Sequence, residues 1–207
     1  MDQKKFGKLI FPAFPNLVWK LENKKKILYL SFDDGPTPGL TEAILEILTH
    51  YDVSALFFLE GRKIAENIPK LKSLNFENHK LGNHGYNHIP MILRSKQHLE
   101  NEIFLTDQLI IKHFGIIPKL FRPPYGIFGP GLYRILKLIQ KDMLLWSLMA
   151  NDFKWDKDKT YDYLVENLEA GDIIVFHNSE KSKKVVTAVL SRFLEYCQKN
   201  EYTFKLL

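Results

Sequence analysis

The chain has 207 residues, 45% of them hydrophobic, which is enough to bury one substantial core and too few for two comfortable domains. Lys and Arg number 29 against 24 Asp and Glu, and the resulting charge of +5 is diffuse apart from Lys4-Lys5, Lys24-Lys25-Lys26 and the run Lys181 to Lys184. No aromatic-interleaved basic stripe accompanies these clusters, so they read as solvated surface and no nucleic-acid partner is expected.

The first 26 residues begin Met1-Asp2-Gln3-Lys4-Lys5, and Lys8, Pro12, Pro15 and Asn16 interrupt the apolar stretch before a signal-peptide core accumulates. A cytoplasmic, monomeric protein without a transmembrane span is the expectation. Phe6, Phe11, Phe14 and Trp19 offer a membrane-facing patch as one use of this segment; packing across the base of a domain formed by residues 27–207 is the expected one.

From Ile27 onward, short apolar runs alternate with amphipathic helical patterns, as parallel strands joined by helices require. The predicted strands are Ile27–Phe32, Ser54–Leu59, Lys80–Asn83, Lys119–Arg122, Met143–Leu148, Asp172–His177 and Tyr202–Leu206. The predicted helices are Thr41–His50, Arg62–Leu74, Ser95–Phe114, Gly131–Gln140, Tyr161–Leu168 and Lys184–Lys199. Cys197 stands alone in the last of them, which excludes an intrachain disulfide and marks a core position.

Polar residues gather where these strands end. Asp33 and Asp34 follow the first, and because neighbours on a strand face opposite ways, a turn is needed to bring both carboxylates to one site; Gly35, Pro36 and Pro38 are expected to supply it. His84 and His88 follow the third strand, spaced to share one face of a helical turn. One carboxylate and two imidazoles make a three-ligand metal set with room for water. Arg122 ends the fourth strand and His177 the sixth, so five placements fall on the rim where an α/β barrel collects its reacting groups.

In this order the residues resemble the polysaccharide deacetylases of carbohydrate esterase family four, built on the NodB homology domain. The likeness runs from about Ile27 to the C-terminus. Ser31-Phe32-Asp33-Asp34-Gly35-Pro36 resembles the first family motif, which implies Asp33 as general base and Asp34 as metal ligand. His84-Gly85-Tyr86-Asn87-His88 resembles the second, which completes the metal site, although Gly85 stands where the family usually has Ser or Thr. Arg122-Pro123-Pro124-Tyr125-Gly126 resembles the third, implying that Arg122 orients the base and that the Tyr125 N–H serves the oxyanion. Val175-Phe176-His177 resembles the fifth, with His177 as acid and Val in place of the usual Leu.

The fourth motif, Asp-x-x-Asp-Trp, departs. Its counterpart is Met149-Ala150-Asn151-Asp152-Phe153, so Met149 replaces the carboxylate that the family sets beside the acid histidine, and Phe153 replaces Trp. His177 is accordingly expected to lose its proton at lower pH, unless Asp152 or Asp172 reaches it.

The resemblance implies a distorted seven-stranded (β/α) barrel and a hydrolase that removes N-acetyl groups from an acetylated amino sugar. Its substrate would be chitin-oligosaccharide, peptidoglycan-like or lipid-linked glycan, and its cation Zn²⁺, with Co²⁺ or Ni²⁺ tolerated. Two alternatives remain open at this point: a non-catalytic carbohydrate-binding descendant of the fold, and a metal hydrolase of another amide.

Overall fold

The computed structural model describes residues 14–22 and 25–207. Phe6, Phe11 and Lys24, singled out above, lie outside the described residues. Among the described residues nine strands are present: β1 (Leu17–Val18), β2 (Ile27–Gly35), β3 (Leu56–Leu59), β4 (Lys80–Asn83), β5 (Leu120–Phe121), β6 (Asp142–Leu144), β7 (Leu148–Met149), β8 (Ile173–His177) and β9 (Thr203–Phe204). Six α-helices of the described residues alternate with them: α1 (Leu40–His50), α2 (Gly61–Glu66), α3 (Lys96–Phe114), α4 (Pro130–Leu138), α5 (Lys157–Asn167) and α6 (Lys183–Lys199).

Eight strands form one curled sheet in the order β1-β6-β5-β4-β3-β2-β8-β7, all neighbours parallel, and β9 adds alongside the start of β2. This is the expected (β/α) barrel architecture in an open, distorted form. It has more strands than the seven read from the sequence, for a local reason. The single predicted run Met143–Leu148 divides into β6 and β7, because the carbonyls of Leu144 and Leu145 accept from the Arg122 guanidinium instead of continuing a ladder. The other addition is β1, whose two residues pair with Met143 and Leu144. Beside it, Phe14 packs edge-on against Phe128 and Tyr133, with ring centroids 5.5 and 5.0 Å apart.

β2 is apolar without alternation because it is buried on both faces, as parallel strands are. Leu28, Leu30 and Phe32 face an outer core shared with Phe57, Ile174 and Phe176 and with the apolar stripe Val186, Val189, Leu190, Phe193, Leu194 and Cys197 of α6. Ile27 and Tyr29 face the inner core with Leu56, Phe58, Phe121, Ile173 and Val175. Strand parity then sends Ser31, Asp33 and His177 to the inner side as well.

The register levels the strand ends. Asp33 pairs with His177, Gly35 with Leu59, Leu59 with Asn83, and Asn83 with Phe121. Asp33, His84, Arg122 and His177 therefore emerge on one rim, each set by a strand that is rigid below it.

Candidate active site

The two adjacent carboxylates reach one site through a bulge, a route the sequence did not indicate. Asp34 takes φ 72°, the pairing of β2 with β3 shifts register between Phe32 and Gly35, and the strand continues to Gly35 before the prolines. The Asp34 carbonyl accepts from Lys63 Nζ at 2.6 Å, and Lys63 lies 3.2 Å from the buried Glu60. The histidine pair departs from expectation in a similar way. His84 and His88 sit on an irregular loop with φ 77° at Gly85 and 52° at His88, conformations no helical turn contains. A left-handed residue 85 favours glycine over the Ser or Thr of the family pattern.

The loop nevertheless turns both imidazoles onto Asp34. His84 Nε2 and His88 Nε2 stand 3.5 and 3.2 Å from Asp34 Oδ1, and ligating atoms of the three residues lie within 4.8 Å of one another. Asp34 Oδ1 is buried and has no hydrogen-bond partner, an expensive state for a carboxylate oxygen unless something else occupies its lone pairs. His84 Nδ1 lies 2.7 Å from the Arg122 carbonyl. A carbonyl only accepts, so Nδ1 carries the hydrogen, and in the neutral ring Nε2 presents its lone pair toward Asp34. A buried and a partly buried imidazole and one orphaned carboxylate oxygen converging on a point fit a divalent cation.

Charge is strongly coupled here. Burial alone would raise the Asp34 carboxyl, but His84 and His88 outweigh it and hold it well below the usual carboxylate range. Burial works against a charged His84, yet Asp33, Asp34 and Glu60 together push its pKa up. In the absence of a cation, protons take its place, and the two compete.

Arg122 is wholly buried beneath this rim and uses every branch of its fork. Nε donates to the Leu144 carbonyl at 3.0 Å, Nη2 to Leu145 at 2.9 Å, and Nη1 to Ser31 Oγ at 2.9 Å and Asp33 Oδ1 at 2.7 Å. Its plane lies 4.1 Å from the centre of the Phe58 ring. Asp33 is thus held from one side, while its Oδ2 comes within 3.9 Å of His84. Tyr125 follows in left-handed backbone, φ 60°, with its half-exposed ring 4.6 Å from that of His88.

Across the groove, His177 Nδ1 lies 2.7 Å from Asp152 Oδ1, and the His177 backbone N–H donates to Asp152 Oδ2 at 2.8 Å. Burial lowers the imidazole pKa, but the Asp152 carboxylate overrides it and raises the value to about 9. The expectation of a detuned His177 is therefore corrected: Asp152 occupies the role that the sequence left vacant at Met149. Asp172 does not reach the rim. It lies at the opposite end of β8, accepting from Ser147 and the Glu169 backbone. Phe153 packs edge-on against the His177 ring at 4.7 Å.

Asp33, Asp34, His84, His88 and His177 line an open groove of about 960 Å³, with Tyr125, Trp146, Met149 and Phe153 as apolar surface and Arg62, Glu66, Glu180 and Lys181 as charged rim. Trp146 is buried and also faces this groove. Trp155 lies outside it and packs on Tyr163 and Lys159, and Phe128 packs on Phe14. Sequence reasoning missed Glu102, which accepts from the Tyr86 and Asn87 backbone between the two histidines. Its one signal was an acid on the apolar stripe Leu99, Ile103, Thr106, Ile110 of α3.

Among the described residues no helix is long and apolar enough to cross a membrane. The profile of a family described as polysaccharide deacetylase matches residues 20–142, a stretch that holds Asp33, Asp34, His84, His88, Arg122 and Tyr125. The peptidoglycan-N-acetylglucosamine deacetylase of Bacillus cereus is 30% identical over 191 residues, which are 91% of this chain and 89% of that one. Among solved structures, a peptidoglycan N-acetylglucosamine deacetylase in complex with 4-naphthalen-1-yl-N-oxidanyl-benzamide shares the fold at TM-score 0.89 and 24% identity, covering 95% of this chain and 93% of its own. A pseudoenzyme of carbohydrate esterase family four from Bacillus anthracis superposes at TM-score 0.83 and 25% identity, covering 91% of this chain and 66% of that one.

Proposed function

The chain belongs to the polysaccharide deacetylase family, and from that premise we propose that it is a metal-dependent hydrolase that removes N-acetyl groups from an amino sugar of a peptidoglycan-like or chitin-type glycan. The observation that carries this reading is the orphaned, buried Asp34 Oδ1 facing two imidazoles beside an Arg-held carboxylate. Asp34, His84 and His88 would hold the cation, and their nitrogen-rich set favours Zn²⁺ while admitting Co²⁺ or Ni²⁺. When bound, such an ion would polarise an acyl oxygen and acidify water from about 15.7 toward 7.

The remaining steps fall to the chain's own groups. Asp33, fixed by Arg122, takes the proton released as water adds to the acetyl carbon. The Tyr125 N–H donates to the oxygen on which charge develops, an effect worth roughly 3 kcal/mol by analogy with other oxyanion donors. His177, kept charged by Asp152, delivers a proton to the departing nitrogen, which would otherwise leave as a very poor anion. Acetate and a free amino sugar result. An open groove with aromatic and aliphatic surface suits the faces of successive sugar rings.

The test pairs acetate release from acetylated chito-oligosaccharide with elemental analysis. Asp34→Ala, His84→Ala and His88→Ala are each expected to lose most bound metal, because two ligands hold a divalent ion poorly against buffer. Near-stoichiometric metal in all three would refute the ligand set. The pseudoenzyme neighbour keeps a second reading in view, a carbohydrate-binding protein without turnover. The Arg122–Asp33 and Asp152–His177 pairs, set level by strands that pair Asp33 with His177, weigh against it, and absence of acetate from a Zn²⁺-loaded chain would favour it.

A further inference from the structure

Glu102 is 3% exposed and forms no ion pair among the described residues, so the N–H groups around it must satisfy its charge. Three do. Oε2 accepts from the Tyr86 and Asn87 backbone, each at 2.8 Å, and Oε1 accepts from Asn87 Nδ2 at 2.6 Å. Successive backbone N–H groups converging on one anion form a nest, and here the anion is supplied by α3 of the same chain.

The two residues that donate lie between His84 and His88. The loop that carries them departs from ordinary backbone at both ends, with φ 77° at Gly85 and 52° at His88. Its start is pinned separately: the Gly85 N–H donates to Asn83 Oδ1 at 2.7 Å, and Asn83 Nδ2 donates to Asp107 and to the Ile103 carbonyl of the same helix. The loop's carbonyl side is held by the Gly61 and Arg62 N–H groups, which donate to the Gly85 and Tyr86 carbonyls, each at 3.0 Å, and the His88 ring rests 4.6 Å from that of Tyr125. Glu102 is the charged anchor of the N–H side, so without it the stretch between Tyr86 and His88 would lose three hydrogen bonds that help keep His88 beside Asp34, whereas His84 is fixed on the Arg122 carbonyl.

We infer that Glu102 is a positioning residue that holds the 84–88 loop in the shape that turns both imidazoles to Asp34, and that it thereby sets the affinity of that site for a divalent cation. The inference rests on the metal reading given above. Outer-shell partners of metal ligands are worth about 10–100-fold in affinity when removed. Glu102→Gln keeps an oxygen for the two backbone donors, and the Asn87 amide can turn to accept from the new NH₂.

The experiment is calorimetric titration of Zn²⁺ into the metal-free full chain, with thermal melting of the same metal-free samples. Glu102→Ala is expected to weaken Zn²⁺ binding about 10–100-fold, while Glu102→Gln stays close to the parent. A Glu102→Ala protein that melts lower yet binds Zn²⁺ as tightly as the parent has lost only structure, and overturns the inference alone. A parent chain that binds no Zn²⁺ overturns the metal reading and the inference with it. If Glu102→Ala does not fold, Asn87→Ala removes only the Oε1 contact and must still weaken Zn²⁺ binding measurably; unchanged affinity there overturns the inference.

Discussion

Asp152→Asn tests the assignment of acid and base most directly, because it removes one charge from His177 and leaves the cation's proposed ligands in place. In the parent the imidazole pKa rises from 6.5 to about 9 against the opposing effect of burial, with the Asp152 hydrogen bond and charge as the main causes. At about 1.4 kcal/mol per pH unit this corresponds to roughly 3 kcal/mol favouring imidazolium. A group raised in the folded state contributes stability that is full below pH 6.5 and disappears as pH rises through about 9. The asparagine variant should therefore lose stability relative to the parent at pH 6 and lose less at pH 9.5. For catalysis, an acid with pKa about 9 is some nine-tenths protonated at pH 8, whereas one near 6.5 is only about 3% protonated. The expected kcat/KM for acetate release thus falls about 30-fold at pH 8 and hardly at all at pH 6, with the alkaline limb moving down toward pH 6.5. A variant profile that overlays the parent between pH 6 and 9.5 would refute His177 as the acid tuned by Asp152.

Met149→Asp is expected to leave the alkaline limb where it is, since His177 Nδ1 is already taken; an upward move of half a pH unit or more would contradict this. Asp33→Asn should keep full metal by elemental analysis and lose about 100-fold or more in turnover, and undiminished turnover would give Asp33 another role. Arg122→Lys cannot serve four acceptors at once and leaves the buried Leu144 and Leu145 carbonyls without donors. At about 1–3 kcal/mol for each of the two unsatisfied groups, the unfolding free energy from urea titration should drop by roughly 2–6 kcal/mol, and a loss under about 1 kcal/mol would show that water or Lys fills the gap.

The architecture was readable because parallel strands buried on both faces leave continuous apolar runs, as Ile27–Phe32 and Ile173–Phe176 do, and because α6 repeats its apolar residues at helical spacing. What composition could not show was how Arg122 ends a strand. The guanidinium collects the Leu144 and Leu145 carbonyls from 22 and 23 residues away, a tertiary effect that overrides the β-type run Met143–Leu148. The same limit hid the bulge at Asp34 and the loop shape around His88, because a positive φ at a non-glycine residue is imposed by surroundings and leaves no mark in local sequence.

Met149 shows the limit most sharply, since its identity was read correctly and its consequence was not. The register pairs Met149 with Val175, two residues below His177 on the adjacent strand. Beyond that point the ladder continues by other means. The Ala150 N–H donates to the Val175 carbonyl at 2.9 Å, Asn151 turns through φ 57°, and the next donor up, the His177 N–H, finds the Asp152 carboxylate where a backbone carbonyl would stand. Asp152 is thereby locked through one oxygen and offers the other to Nδ1. A carboxylate placed by a backbone hydrogen bond is already oriented for the imidazole, so it loses little freedom in forming the second contact. The chemistry of the acid therefore depends on which side chain caps the ladder at the rim, and a substitution two residues below that rim leaves it intact.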